Sequence, residues 1–353
     1  MNDDKMEVKP ANKKVTIFNF VLIAVIFSCL FIYMVKVDGI DNIINLLVNA
    51  DFKWVIGGIF CIIIFWICEA ITLHLPLKKL YPEQGFSNSF KVSMIGQLFN
   101  NITPFCSGGQ PMQAYELSKT GKRFSDSFSM LAIKFIIYQS ALVLFTLVVA
   151  ILHFDFFMNL MNNFLWIAIV GFSVNIFAIV IVILAGVKSN WILPIAHFFI
   201  KILSKIRIIK DFQKATDRIN GSIANFNTQF KFMKEQKALV LKMFIISIIQ
   251  CLSYYSITYM VYRAFGNYGI SIWEIIPAQA FLLLIMTFFP TPGAGLGAEG
   301  GFLVIFGAIF KEGTINMSIL FWRLYTFYAP IIVGALFLIP TRTKNTKRKA
   351  DIT

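Results

Sequence analysis

The sequence predicts an all-α polytopic membrane protein with six full spans and two Gly/Pro-broken re-entrant hairpins, about eight membrane segments in all, arranged as an inverted repeat. Three observations lead there. Of 353 residues, 58% are hydrophobic, 14% are charged and 38 are Phe, and the mean hydropathy is +0.73. No water-soluble core of this size absorbs so much apolar side chain, which excludes a soluble globular enzyme. Near-uncharged runs of about 20 residues recur, each long enough to cross a hydrocarbon core of about 30 Å. Two more apolar stretches are interrupted at their centres by Pro and Gly, which end helices rather than extend them.

Residues 1–15 read as a mixed-charge tail. The run 16–35 is the first span, retained rather than cleaved because it is long and lacks a small-residue exit. A second span at 53–74, a broken hairpin at 86–116 and a third span at 125–152 complete a first half, 16–152. The second half, 153–340, holds spans at 164–186, 238–262 and 317–339, a basic amphipathic segment at 187–237 and a second hairpin at 272–310. Residues 341–353 form a basic tail. Each half reads span, span, hairpin, span. An odd number of crossings separates them, so the second half is inverted, as in alternating-access transporters.

Charge fixes the expected orientation. The net charge is +14, and 26 of the 32 Lys and Arg fall in the segments 1–15, 75–91, 117–124, 187–242 and after 339. By the positive-inside rule these are cytoplasmic, which puts both termini inside a cell membrane. The pattern closes only if each hairpin enters and leaves on one side. Non-helical backbone at that depth needs protein or a water-filled cavity around it, so the hairpins should share a polar interior. In the segment 187–237, Phe198, Ile202, Ile219, Ile223, Phe226 and Phe230 recur at helical spacing opposite Lys201, Lys205, Lys214 and Arg218. That suits helices on an anionic inner leaflet, or a connector packed beneath the bundle.

The first break carries Asn100, Asn101, Thr103, Gly108, Gly109, Gln110, Gln113 and Glu116. Gly N–H groups at a helix start offer an anion pocket suited to a phosphodiester, and the alternative is a tight turn that lets helices pack. The second break carries Thr291, Gly293, Gly295, Gly297 and Glu299. Its G-x-G-x-x-G string is not a dinucleotide fingerprint, because a membrane helix rather than a strand precedes it. Glu299 is expected in the first turn of the next helix, as a cap or facing a translocating group. Arg323, deep in the last span, can pair with Glu299 or hold a lipid phosphate bidentately. Glu69 and Lys134 are further intramembrane charges, with Gln139, Gln250 and Gln279 as polar neighbours. Five Cys and three His show no disulfide or metal spacing, no catalytic constellation is visible, and no cofactor or metal is expected.

The strings TPFCSGGQPMQAYELSKTG and PTPGAGLGAEGGF resemble the lysylphosphatidylglycerol synthase transmembrane family, the flippase-like domain also found at the front of the larger MprF proteins. Where the family has Gly-Glu in the first break, this chain has Gly109-Gln110, and its Gly-Gly after Pro is Gly293-Ala294. The resemblance implies binding and translocation of phosphatidylglycerol or its aminoacylated form between leaflets, with a separate synthase as a possible partner and no direct contact with nucleic acid. A phosphatidylglycerol lysyltransferase using lysyl-tRNA and a small-solute secondary transporter are the alternatives.

Overall fold

The computed structural model describes Ser28, Ile32 and residues 39–155, 165–205, 211–286 and 289–338. The expected first span at 16–35 and both tails lie outside the described residues, apart from those two positions. Every regular element described is helical.

A short helix, α1 (Ile40–Val48), precedes α2 (Phe52–Leu80), whose start is capped by Asp51 accepting from the Lys53 N–H at 3.0 Å. Helix α3 (Phe86–Ile102), a 3₁₀ turn (Pro104–Cys106) and α4 (Gly109–Ser118) form the first broken hairpin, followed by α5 (Phe124–Leu152). Next come α6 (Leu165–Val187), α7 (Ser189–Lys205), α8 (Phe212–Glu235) and α9 (Lys237–Ala264). Helix α10 (Ile272–Met286), a second 3₁₀ turn (Pro292–Ala294) and α11 (Gly295–Phe306) make the second hairpin. The chain then runs through α12 (Ile315–Arg323), a π turn (Leu324–Tyr328) and α13 (Ala329–Leu336).

Among the described residues, five helical stretches are long and apolar enough to cross a membrane: 52–80, 124–152, 169–187, 237–264 and 315–336. They coincide with the second to sixth spans read from the sequence. The hairpin helices contain 17, 10, 15 and 12 residues, all short of the ~20 needed to cross alone. Helix α1 falls where the sequence suggested only a connection. It is half-sunk, burying Ile43 while Ile40, Ile44 and Val48 stay exposed.

Contacts fix the relative directions of the spans. Helices α2 and α9 run antiparallel: the Asp51 N–H donates to the Ala264 carbonyl at 2.9 Å, Phe65 packs on Tyr254, and Gln250 donates to Glu69. Helix α5 runs parallel to α9, with Ile133 near Val240 at one end and Phe145 stacked on Tyr255 further along. Helix α6 runs against α5, because Gln139 meets Asn175 while Val187 returns beside Ile133. This alternation is the one that the distribution of basic residues requires.

Within the segment 187–237, α8 is not a free surface strap, whereas α7 leaves Trp191, Ile195 and Phe198 exposed. Helix α8 lays Phe226 and Met233 into an apolar cluster with α2, α4 and α5, and its Gln229 reaches Asp126. Of the two readings open in the sequence, packing beneath the bundle is the one seen for α8. At the same end, Tyr81 donates to Asp126 at 2.8 Å, and burial plus that bond push its phenol up to about 12.

Candidate functional site

The two breaks have almost the same backbone. Thr103 and Thr291 are both extended (φ −113°, ψ 147° and φ −96°, ψ 153°), each is followed by Pro, and then come two residues with left-handed φ: Phe105 and Cys106 in one, Gly293 and Ala294 in the other. The two 3₁₀ turns pack against each other in the middle of the bundle, so the hairpins meet tip to tip.

They are fastened differently. In the first break the Thr103 hydroxyl donates to the Phe99 carbonyl at 2.6 Å and accepts from the Gly108 N–H at 2.9 Å. Asn100 Oδ1 accepts from the Gly109 N–H at 2.9 Å. The Gly108 and Gly109 amides, expected as an open anion pocket, therefore already have acceptors from the preceding helix. A Cβ on Gly109 would lie 2.2 Å from Asn100 Oδ1, so the missing side chain is what lets the amide close on its cap.

In the second break Arg323 does the fastening. Its Nε donates to Glu299 at 2.8 Å, and its terminal nitrogens donate to the Gly293 and Gly295 carbonyls at 3.0 and 3.2 Å. Three of the guanidinium's five N–H groups are thus used on the loop, and the side chain is 3% exposed. Glu299 sits in the second turn of α11, not the first, and pairs with Arg323 instead of capping. Gly293 has φ +59°, and a Cβ there would meet Phe327 at 2.1 Å.

Beside the breaks lies a cavity of about 370 Å³. Six of the residues singled out from the breaks and the last span line it: Asn100, Asn101, Gln110, Gln113, Gly293 and Arg323. Thr103, Gly108, Gly109, Gly295 and Glu299 stand behind the wall, holding the loops in shape. Glu116 is turned to Lys119 at 2.5 Å, Gly297 packs against Phe289, and the Thr291 hydroxyl is buried without a partner among the described residues.

The opposite wall brings in residues that the sequence marked only as isolated intramembrane charges. Lys134 of α5 forms an ion pair with Glu69 Oε1 of α2, and Gln250 of α9 donates to Glu69 Oε2 at 2.8 Å. All three line the cavity. Each lies 10 to 13 residues from the nearer end of its helix, or roughly 15–20 Å along the axis, which is mid-depth for a bilayer. Gln250 Oε1 is buried and lacks a partner among the described residues. Gln139, marked in the sequence as a polar neighbour, and Gln97 at the start of the first break also line the cavity, as do Tyr138, Tyr254 and Thr326, which nothing in the sequence set apart. No group of three metal-binding side chains occurs among the described residues.

Among the described residues, five long apolar helices around two broken hairpins, with paired charges on a cavity at mid-depth, define a polytopic all-α membrane protein. The family model described as "Lysylphosphatidylglycerol synthase TM region" matches residues 20–334, and the chain belongs to that family. It is similar to a UPF0104 membrane protein of Methanocaldococcus jannaschii, 23% identical over 337 residues that cover 93% of this chain and 96% of the relative. It is also similar to a UPF0104 membrane protein of Methanothermobacter thermautotrophicus, 22% identical over 283 residues, or 77% of this chain and 80% of the relative.

Proposed function

We propose that this protein takes the headgroup of an anionic or aminoacylated phospholipid, of the phosphatidylglycerol type, into the central cavity and passes it between leaflets of the cell membrane. The observation that carries the reading is the Glu69–Lys134–Gln250 group on the cavity wall. A charge kept at that depth costs several kcal/mol unless it has a partner or a task. Here cation and carboxylate neutralise each other beside a space large enough for a polar headgroup. An entering phosphate takes the place of Glu69 on Lys134. Glu69 and the unpartnered Gln250 Oε1 then accept from the hydroxyls or ammonium of the same headgroup.

The family supports a lipid-related role, and the distribution of basic residues, with which the directions of α2, α5, α6 and α9 agree, supports an orientation with both termini cytoplasmic and the two halves inverted. Arg323, with three N–H groups committed to its own loop, shapes the cavity, and Lys134 is the stronger candidate for the phosphate.

Reconstituted full-length protein tests this with a leaflet-resolved assay of fluorescent phosphatidylglycerol and lysyl-phosphatidylglycerol. The neutral double variant Glu69→Gln/Lys134→Gln leaves no unpaired charge and should stay folded while transport falls at least ten-fold. Wild-type transport by that variant sinks the assignment. Lipid profiles of a deletion strain decide the synthase alternative: loss of aminoacylated lipid, rather than its retention in the inner leaflet, points to a synthase role.

A further inference from the structure

A second cavity lies apart from the first, between α5, α6, α8 and α9. It has about 640 Å³, and apart from two ammonium groups its lining is apolar. Its floor is Ile133, Ile136, Ile137 and Met233, all buried, and its open sides include Val187 and Leu241, both largely exposed. Lys234, near the end of α8, and Lys237, the first residue of α9, stand at its rim. Neither ammonium has an acidic partner among the described residues. Across 231–242 the chain carries Lys231, Lys234, Lys237 and Lys242 against Glu235 alone.

The position of the groove relative to the spans gives it meaning. Two candidate spans meet it end-on, since one finishes at Val187 and another begins at Lys237. The lysines are therefore at headgroup level. The apolar lining runs inward from Lys237 to Phe244, seven residues or roughly 10 Å, which is most of one leaflet's hydrocarbon depth. Lipid tails are as apolar as Leu, so an acyl chain gains little by leaving bulk lipid for this groove. Selectivity must come from the rim, where two unpaired cations favour an anion.

We propose that the groove is a binding site for one anionic phospholipid of the leaflet facing α8, its phosphate on Lys234 and Lys237 and an acyl chain along Ile133, Ile137 and Leu241. The site is separate from the central cavity and holds a resident lipid rather than the transported one. It also explains why a basic segment packs beneath the bundle: α8 forms one wall, so a bound anionic lipid ties the segment to the spans.

The test uses the full chain in nanodiscs with photoactivatable phosphatidylglycerol or phosphatidylcholine carrying the same diazirine-labelled acyl chain, with the labelled peptides mapped. Phosphatidylglycerol should label 183–187 and 233–244 in preference to phosphatidylcholine. At about five-fold per lysine, Lys234→Ala/Lys237→Ala should cut that preference by an order of magnitude or more, while Lys234→Arg/Lys237→Arg keeps it. Equal labelling of the wild-type groove by the two lipids overturns the proposal, as does a preference that survives the alanine pair. No labelling of the groove overturns it too, because something other than lipid then covers it. Labelling of central-cavity peptides around Phe105 and Gln110, which lie on the central cavity and not on the groove, is read separately, so failure of the transport reading leaves this outcome intact.

Discussion

The two Thr-Pro breaks follow the same path and are held by opposite means. The first is fastened within its own hairpin by Thr103 and Asn100, and Pro104, Phe105, Cys106 and Ser107 stay exposed. The second is buried from Pro292 to Gly295 and fastened from outside by Arg323 of the last span. The difference divides their labour. A loop held by local caps can shift without disturbing the rest of the bundle, whereas one held by a buried guanidinium moves only with the helix that carries it. The first break is accordingly expected to be the one that shifts at the cavity, with the second as its frame.

The largest expected effect breaks the frame. Arg323→Gln strands Glu299 and two loop carbonyls inside the membrane and should cost about 3–5 kcal/mol, seen as a large drop in thermal stability of the purified protein. Arg323→Gln/Glu299→Gln should recover only part, because the Gly293 and Gly295 carbonyls remain unpaired. Full recovery would reduce Arg323 to half of a simple ion pair.

Next comes an exchange of the left-handed residues. Gly293→Ala adds a Cβ at positive φ against Phe327 and should destabilise by about 1–3 kcal/mol, counting strain and overpacking together. Phe105→Gly, at the matching position, relieves a left-handed non-Gly residue whose side chain is exposed, so stability should hold or rise by up to about 1 kcal/mol. Thermal melts of the two variants side by side decide it, and equal losses would show that the breaks are fastened alike.

A smaller effect is expected at the first break. Asn100→Ala and Thr103→Ala each free one amide at the start of α4 and should cost about 1 kcal/mol. Both should alter transport more than Tm, since the freed loop borders the cavity. A variant that loses stability while transporting normally would make the loop a plain structural turn.

The smallest is a difference in reactivity. Cys106 is exposed, while Cys61, Cys68 and Cys251 are buried, so a small polar maleimide should modify Cys106 first. Ala294→Cys, at the matching position in the second break and made in a Cys106→Ser background, should react far more slowly. Equal rates would mean that both breaks open to solvent.

Much of this was legible in the sequence. Membrane insertion, the five described spans to within a few residues and the positions of both breaks follow from the length of apolar runs and from Pro and Gly, because a bilayer imposes one length scale on every helix that crosses it. The basic segments gave the alternation of directions that the contacts repeat. Intramembrane charge marked Glu69, Lys134, Glu299 and Arg323, since such residues are rarely kept without a partner. Only the tertiary structure decided who pairs with whom. Lys134 meets Glu69 from 65 positions away and Gln250 from 181, and no local spacing encodes a contact between three separate helices. The same holds for the Gly108 and Gly109 amides, which look like an anion pocket until Thr103 and Asn100 are seen folded back onto them. It holds again for the groove beneath α8, whose walls come from four helices. Periodicity records which face of a helix is apolar, while the neighbour that covers that face, or leaves it open to lipid, is set by packing in three dimensions.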